Sequence, residues 1–370
     1  MKHLITLIAL SFTSIIFTQE TNETTEINGV TREYIQYLPV GFNPTTESLP
    51  VVFVLHGLGG NNSDMESIGF KQIGDTARCI SIYPQGLINS FGQTSWDNGT
   101  LLAPDVDDIS FFNFMIDDLI LNYNVDITRI YFTGFSMGSI MSHHLACALN
   151  HRIAAIGTMS GTMSTNDISN CVPVYKTPVM HVHGTADATV PYAGSALPSL
   201  SLVTETMNFW INVHGCSATV DSTQLADSSN DGFTVDRFVY QNCDPLSSVE
   251  LWRVNGGGHS FFYEPVNDFT ESIDIWMFFR KWTHTNPTSV GINDISEMLF
   301  SISPNPSTGI FNIKTDVSSQ IFVYTTAGKL VHNQPIPLGE TVMNLTHLEH
   351  GIYILKYGVT GALIQRVSIQ

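Results

Sequence analysis

The sequence predicts an α/β domain, with a mostly parallel sheet and helices on both of its faces, followed by a small all-β sandwich. In the first part, short apolar runs alternate with amphipathic stretches, as in VVFVL (51–55), RIYFTG (129–134) and PVMHVHG (178–184). Strands of this length that alternate with helices are typical of a parallel sheet covered on both sides. From residue 297 the helical stretches cease, and short alternating runs separated by turn residues take over.

The remaining elements follow the same alternation. Further strands are predicted at 79–83, 153–161, near 238 and at 249–254, and helices at 64–77, 108–121, 137–149, 202–214 and 270–282. A stretch rich in Thr, Asn, Pro, Ser and Gly then marks a linker. We therefore predict a catalytic domain over 27–283, a linker over 284–296 and a sandwich over 297–370, built from runs such as IFNIKT, IFVYT and IYILKY.

The N-terminal segment and the net charge limit the possible partners of the protein. Lys2 and His3 precede an uncharged apolar run over 4–17, which predicts a signal peptide over 1–19 and is too short for a stable membrane span. The 33 acidic residues against 15 Lys and Arg give a formal charge of -18. Such a surface repels phosphate backbones, so we expect no nucleic acid partner.

Export makes the five cysteines candidates for disulfides. The pairs nearest in sequence are Cys147 with Cys171 and Cys216 with Cys243, and each would close a loop worth about 3.5 kcal/mol in the chain-entropy model. Cys79 would then be free and buried. Sequence proximity alone leaves other connectivities open.

The strongest chemical signal is GFSMG (134–138), which lies between a predicted strand and a predicted helix. A G-x-S-x-G motif in that context places its serine on a strained turn, where the flanking glycines let strand and helix pass closely. We predict Ser136 as a nucleophile. A serine hydroxyl needs a histidine to accept its proton and a carboxylate to orient that histidine.

Asp187 and His259 fit these two roles. Asp187 follows the strand PVMHVHG in the loop HGTADATVPY, and a cap of the loop is the alternative interpretation. His259 follows the strand VELWRV in NGGGHSFF, where three glycines leave the backbone free to bring the imidazole toward Ser136. The two follow the nucleophile in the chain order Ser, Asp, His.

An oxyanion hole requires two backbone N–H groups. Met137, directly after the nucleophile, provides one, and HGLGG (56–60) after VVFVL provides the other, for which we predict Leu58. Trp96, in the loop TSWDNG, is either a stacking surface for substrate or a core residue. Asp107 and Asp108 are interpreted as a helix cap and a first-turn charge.

Other histidines are interpreted as structural. His181 and His183 lie on the same side of a strand and could hold a metal, but no third ligand is evident in the sequence. His143 and His144 lie on the helix behind the nucleophile. The sequence shows no cofactor fingerprint, so we expect neither a metal nor a cofactor.

Residues 30–282 resemble the secreted feruloyl esterase and polyhydroxybutyrate depolymerase branch of the α/β-hydrolases, which includes acetylxylan esterases. HGLGG, YPQG, WDNG, VDDISFF, RIYFTGFSMGS, HGTADATVPY and GGGH carry the resemblance, in the expected order. It implies an α/β-hydrolase fold, the triad Ser136, Asp187 and His259, the oxyanion hole Leu58 and Met137, and Trp96 as a wall of the acyl cleft. Relatives often have H-x-W-P after the histidine, whereas HSFFYEP stands here, so the leaving-group side differs.

The tail from residue 297 resembles the C-terminal sorting domain of type IX secretion, through SPNPSTGIFNI, AGKLV, LEHGIYILKY and Arg366. The resemblance implies Sec export followed by type IX secretion to the cell surface or the medium, with the type IX machinery as partner. A carbohydrate-binding module is the alternative interpretation, but its row of exposed aromatics is not evident.

We therefore expect a secreted serine esterase that cleaves feruloyl or acetyl esters of plant polysaccharide through an acyl-enzyme on Ser136. A polyester depolymerase acting on polyhydroxybutyrate or an aromatic polyester is the second expectation. An acyltransferase on the same scaffold and a binding protein without activity are further alternatives.

Overall fold

The computed structural model describes residues 19–195, 199–217, 219–285, 300–315, 319–325, 329–357 and 363–370. The chain divides into two compact units between residues 287 and 288, inside the segment predicted as a linker. The predicted signal peptide lies outside the described residues, apart from Gln19.

The first unit contains twelve strands, six α-helices and one 3-10 helix among the described residues. The strands are β1 (Glu20–Ile27), β2 (Val30–Tyr37), β3 (Leu49–Leu55), β4 (Ile80–Pro84), β5 (Leu87–Ile88), β6 (Thr94–Ser95), β7 (Val125–Phe135), β8 (Ala155–Met159), β9 (Val179–Gly184), β10 (Val220–Gln224), β11 (Thr234–Tyr240) and β12 (Val249–Asn255). The helices are α1 (Phe70–Ala77), α2 (Asp108–Asn122), α3 (Met137–Ala148), α4 (Thr165–Asn170), α5 (Val203–Val213) and α6 (Glu271–Phe279), and the 3-10 helix is Asn62–Ile68.

Ten of these strands form one mixed sheet in the order β1-β2-β4-β3-β7-β8-β9-β12-β11-β10. The six central strands, from β4 to β12, are parallel to one another, and antiparallel strands complete each edge. This confirms the predicted α/β-hydrolase fold. Because the central strands are parallel, their carboxyl ends meet at one edge of the sheet, where ligands of such sheets bind.

Two apolar cores cover the two faces of the sheet. On β7, Phe132 packs into the core that contains residues of α2, α3 and α5, while its neighbour Tyr131 packs into the core with α1 and α6. Successive side chains of a strand point to opposite faces, so burial on both faces requires an unbroken apolar run. This is why polar and apolar residues do not alternate along the central strands.

The edge strand β1 is an element that the sequence analysis does not predict, and it is formed by the polar segment after the apolar N-terminal run. It pairs with β2 from Glu20 opposite Tyr37 to Ile27 opposite Val30. Its residues are all exposed or half-buried, so no hydrophobic pattern marks it. The catalytic unit therefore begins before residue 27.

Both predicted disulfides are confirmed. Cys147 is bonded to Cys171 and Cys216 to Cys243, while Cys79 is free and buried. In the described part of the chain, none of the helices combines the length and the apolar character that crossing a membrane requires.

The second unit is all β. Its strands are β13 (Phe300–Ser303), β14 (Ile310–Thr315), β15 (Ser319–Thr325), β16 (Leu330–Ile336), β17 (Gly339–Asn344), β18 (Gly351–Tyr357) and β19 (Leu363–Ile369). They form one sheet in the order β13-β14-β17 and another in the order β16-β15-β18-β19. One core joins the two sheets, with Phe311 and Met343 from the first and Val323, Leu355 and Val367 from the second. The predicted small sandwich is confirmed.

Candidate active site

Ser136 lies on the turn between β7 and α3, at the carboxyl edge of the sheet. Its backbone has φ 55° and ψ -116°, a conformation that costs an L residue about 1–3 kcal/mol. A Cβ on Gly134 would lie 2.5 Å from the carbonyl group of Gly138, and one on Gly138 would lie 2.2 Å from the Leu55 oxygen. Both glycines are therefore required for the close approach of strand and helix that holds the serine in this turn.

Asp187 follows β9 at the same edge and is 5 % exposed. Its Oδ1 accepts the backbone N–H groups of Thr189 and Val190, both at 2.8 Å. Burial pushes the pKa of this carboxyl upward, but the hydrogen bonds from His259 and Val190 outweigh it, and the pKa lies below its ordinary value. Asp187 is therefore an ionised, fixed acceptor at neutral pH.

His259 lies on the loop after β12 and contacts Asp187 directly. Its Nδ1 is 2.7 Å from Asp187 Oδ2, and because a carboxylate only accepts, Nδ1 carries the proton. Nε2 is then free to accept a proton. The ring packs on Phe135, the neighbour of Ser136, with ring centroids 4.7 Å apart. Within the described residues no hydrogen bond joins the Ser136 hydroxyl to His259, so this link of the triad stays a prediction.

The two predicted oxyanion donors lie on either side of Ser136. Met137 is the first residue of α3, and Leu58 lies in the turn after β3. This turn passes close to the nucleophile, because a Cβ added to Gly57 would lie 3.3 Å from the Cβ of Ser136. Among the described groups, neither N–H forms a hydrogen bond, whereas the next one, Gly59 N–H, donates to Thr94 O at 2.8 Å. Both N–H groups are thus available to an oxyanion.

Trp96 is a core residue, which corrects the expectation that it forms a wall of the acyl cleft. Its side chain is 0 % exposed and packs on Phe112 with ring centroids 5.7 Å apart. The indole N–H donates to the His56 carbonyl at 2.9 Å. Trp96 therefore lies in the core and supports the oxyanion turn through the His56 carbonyl.

His56 was not predicted as a site residue, although it begins HGLGG. Gly86 N–H donates to its Nε2 at 2.9 Å, so Nδ1 carries the proton and donates to Gly57 O at 2.7 Å. Burial lowers the pKa of His56, which keeps the ring neutral. His56 therefore fixes the turn that presents Leu58 through a single tautomer.

Asp108 has a larger role than a first-turn charge. Its buried carboxylate pairs with Arg32 at 2.5 Å and accepts the Asp97 N–H at 2.6 Å, which ties the loop after Trp96 to β2. Asp107 is the helix cap, as expected, because it accepts the Ser110 N–H at 2.8 Å. The sequence shows the cap, but the partner of Asp108 lies 76 residues away.

Four of the other histidines contact protein groups. His181 Nε2 lies 3.1 Å from His183 Nδ1, which is a hydrogen bond between the two rings. His143 accepts the indole N–H of Trp210 at 3.1 Å, and His144 pairs with Asp167 at 3.0 Å. All four contact other side chains of the protein, in agreement with their interpretation as structural residues.

A half-buried to exposed group of three carboxylates, Asp227, Asp231 and Asp268, has ligand atoms within 4.8 Å of one another. Asp268 accepts the N–H groups of Ser228 and Ser229 at 2.8 and 2.9 Å. These contacts explain the group as loop structure. The group has no part in the proposed reaction.

Exposed apolar side chains lie next to the oxyanion turn. Ile88 and Phe91, on the β5–β6 hairpin, are 68 % and 67 % exposed, and Leu101 is 61 % exposed. The hairpin is bonded to the turn through Thr94, whose carbonyl accepts Gly59 N–H. Asn89 joins the hairpin to the Leu101 loop by donating to Leu102 O at 2.9 Å. We call Ile88, Phe91 and Leu101 the rim.

Comparison with known proteins agrees with this geometry. Residues 106–225, which include Ser136 and Asp187, match the phospholipase/carboxylesterase family. The chain has the α/β-hydrolase fold. Residues 301–370 match the secretion system C-terminal sorting domain, which confirms the predicted nature of the tail.

By name, the curated relatives include esterases and a depolymerase. A bifunctional acetylxylan esterase/xylanase of Neocallimastix patriciarum is 26% identical over 283 residues, 76% of this chain and 37% of the relative. Feruloyl esterase B of Piromyces equi is 29% identical over 62% of this chain and 42% of the relative. A poly(3-hydroxyalkanoate) depolymerase C of Paucimonas lemoignei is 25% identical over 58% of this chain and 56% of the relative. The chain thus spans about half, or less, of the length of these relatives.

Among solved structures, an acetyl xylan esterase from Aspergillus awamori superposes with a TM-score of 0.51 and 15% identity. The match covers 71% of this chain and all of the other. At that identity the likeness concerns the fold alone.

Proposed function

We propose that this α/β-hydrolase is a secreted serine esterase that hydrolyses carboxylic esters through an acyl-enzyme on Ser136. The observation that carries the proposal is the 2.7 Å hydrogen bond from His259 to Asp187, with the imidazole packed on the residue next to Ser136. A serine on a strained turn, a histidine and an ionised carboxylate at one sheet edge form the arrangement that acyl transfer needs.

In the proposed reaction, His259 Nε2 takes the Ser136 proton as the hydroxyl oxygen attacks the ester carbonyl carbon. The negative charge that develops on the carbonyl oxygen is held by the N–H groups of Leu58 and Met137. His259 then gives its proton to the leaving alcohol as the C–O bond breaks. A water molecule, activated by the same histidine, hydrolyses the acyl-enzyme and restores Ser136.

We propose feruloyl or acetyl esters of plant polysaccharide as substrates. Support comes from the names of the relatives of Neocallimastix patriciarum and Piromyces equi. A polyester is the second candidate, which the depolymerase of Paucimonas lemoignei favours. Because the tail matches a sorting domain, we also propose that the protein reaches the cell surface or the medium with the type IX machinery as partner, after export by an N-terminal signal peptide.

A hydrolysis panel tests the proposal. The purified chain and its Ser136→Ala variant are assayed on nitrophenyl esters, methyl ferulate, acetylxylan and polyhydroxybutyrate. We expect the variant to lose turnover on the order of a millionfold. Ser139→Ala, one turn along the same helix, is the matched control for folding. A Ser136→Ala variant that keeps most of its activity rules out the acyl-enzyme, and product analysis with a sugar acceptor separates hydrolysis from acyl transfer.

A further inference from the structure

Three buried polar side chains, none of them in the proposed triad, form a continuous chain of hydrogen bonds that ends at the Asp187 loop. Thr158 lies on β8, and His181 and His183 lie on β9; all three are 0 % exposed. Thr158 Oγ1 is 2.7 Å from His181 Nδ1, His181 Nε2 is 3.1 Å from His183 Nδ1, and His183 Nε2 is 2.9 Å from Val190 O.

The direction of every hydrogen bond in this chain follows from its last member. The Val190 carbonyl can only accept, so His183 Nε2 carries a proton. A neutral His183 then accepts at Nδ1, so His181 carries its proton on Nε2 and accepts at Nδ1 from the Thr158 hydroxyl. Burial lowers the pKa of both histidines, which agrees with neutral rings. One set of tautomers therefore satisfies all three side chains.

The chain ends on the turn that holds the proposed triad carboxylate. The Val190 carbonyl accepts the His183 Nε2 proton at 2.9 Å, and the Val190 N–H donates to Asp187 Oδ1 at 2.8 Å. His183 Nε2 is also 3.6 Å from Asp187 Oδ2, the oxygen that accepts the His259 proton. The partial positive charge of the His183 N–H thus faces both the turn and the carboxylate.

We infer that His183 is a positioning residue, which holds the Asp187 turn through Val190 and is itself fixed in one tautomer by His181 and Thr158. The inference rests on the proposed function, in which Asp187 orients His259. The titratable groups that face His183 are His181, Asp187, His259 and Tyr192, whose ring centroid lies 5.7 Å from that of His183. His143 lies next to His181 at a ring-centroid distance of 5.6 Å. An orienting carboxylate needs such support, because a displacement of about 1 Å in a site costs on the order of 100-fold in rate.

The tautomers are tested first, by ¹⁵N NMR of the full chain labelled on histidine, with assignment by substitution. At pH 7 we expect His181 and His183 to be neutral with the proton on Nε2. In Thr158→Val, which keeps the shape and removes the donor, we expect the His181 signals to move while the His259 Nδ1 proton bonded to Asp187 persists. A charged ring, or a proton on Nδ1 of either histidine, overturns the inference. Since this measurement needs no substrate, it stands apart from any failure of the proposed esterase activity.

Kinetics of variants test the positioning role. His183→Leu removes the donor to Val190, and we expect kcat on a nitrophenyl ester to fall by roughly 100-fold with KM changed by less than about threefold. A loosely held carboxylate stabilises the His259 imidazolium less, so the acid limb of the pH profile of kcat/KM should move to lower pH. His183→Gln, whose amide N–H replaces the Nε2 donor, should recover part of kcat.

His143→Asn is the matched control, because it changes an equally buried ring of the same cluster and keeps an acceptor for Trp210. We expect its kcat and its acid limb to stay near those of the unchanged chain. If His183→Leu keeps the original acid limb, and its kcat falls no further than that of His143→Asn, His183 only fills the core. Should His183→Leu fail to fold, the same comparison is made with His183→Gln, whose acid limb must then lie at lower pH than that of the unchanged chain. An unchanged acid limb, with a kcat no lower than that of His143→Asn, overturns the inference.

Discussion

The proposed reaction centre and the rim, whose hairpin is hydrogen-bonded to the oxyanion turn, are built in opposite ways. Asp187 is 5 % exposed and has backbone donors on one oxygen and His259 on the other. Ile88 and Phe91, in contrast, present apolar side chains to solvent on a hairpin bonded to the oxyanion turn. Buried, interlocked hydrogen bonds fix the geometry of a reaction, whereas an exposed apolar surface can fit different ester groups. We therefore expect changes in the centre to alter turnover and changes in the rim to alter substrate choice.

After the loss of the nucleophile Ser136 itself, the largest expected effect is that of Asp187→Asn. An amide can donate to His259 Nδ1 as well as accept from it, so the tautomer with a free Nε2 is no longer enforced, and kcat should fall by about 10⁴-fold. The measurement is turnover of a nitrophenyl ester with the fold monitored by circular dichroism. Asp221→Asn removes an equal charge from the exposed edge strand β10 and should leave turnover unchanged. Comparable turnover of the two variants would exclude Asp187 from the reaction.

The second largest effect concerns the loop of His259 and depends on pH. Glu271, at the start of α6, is 2 % exposed, and it joins Phe262 by two hydrogen bonds: its N–H donates to Phe262 O at 3.0 Å and its Oε2 accepts Phe262 N–H at 3.1 Å. Burial raises the pKa of Glu271 to about 8. These two hydrogen bonds hold the loop that begins with His259.

The raised pKa of Glu271 makes stability fall with pH. Below the unfolded pKa, about 4.3, both states are protonated and the fold keeps its full stability. As the pH rises from there to about 8, only the unfolded state ionises, so the free energy of unfolding falls by on the order of 5 kcal/mol. Glu271→Gln imitates the protonated acid and should lack this loss. Urea unfolding at pH 5 and pH 9 measures it, and parallel pH profiles of the two proteins would contradict it.

Trp96→Phe has a smaller expected effect and separates the core from the cleft. The change leaves the buried His56 carbonyl without its indole donor, which should cost about 1–3 kcal/mol of stability. Because His56 fixes the Leu58 turn, kcat should fall severalfold. Thermal unfolding and kinetics on nitrophenyl acetate and methyl ferulate are the measurements. A raised KM for the aromatic ester alone, with unchanged thermal stability, would return Trp96 to the wall of the cleft.

Whether the sequence predicts the location and role of a residue depends on how far away in the sequence its contact partners lie. Ser136 and Asp187 are predictable because a strand, a turn and a short local motif place each of them at one sheet edge. Trp96 is not, since its hydrogen-bond acceptor is 40 residues away and the same loop could fold over the edge or under it. The pairing of β1 is equally hidden, because an edge strand without a buried side chain has no apolar period. The burial of Glu271 is not predictable for a related reason, because a charged residue is expected at the surface and only the tertiary contacts show that it is buried.

The rim should show the smallest effect on small esters and the clearest effect on substrate choice. Phe91→Ser and Ile88→Ser remove exposed apolar surface without touching the hydrogen bonds that Asn89 makes with the backbone of Phe91 and Gln93. Turnover of nitrophenyl acetate should then change by less than about twofold, while KM for a long-chain nitrophenyl ester should rise severalfold, because burial of one apolar side chain contributes about 1.5–3 kcal/mol at most. Leu121→Ser, an equally exposed apolar residue on α2, is the control. A rim variant that lowers kcat on both esters alike would show that the hairpin belongs to the reaction centre, through Thr94 and the oxyanion turn, rather than to a surface that selects the substrate.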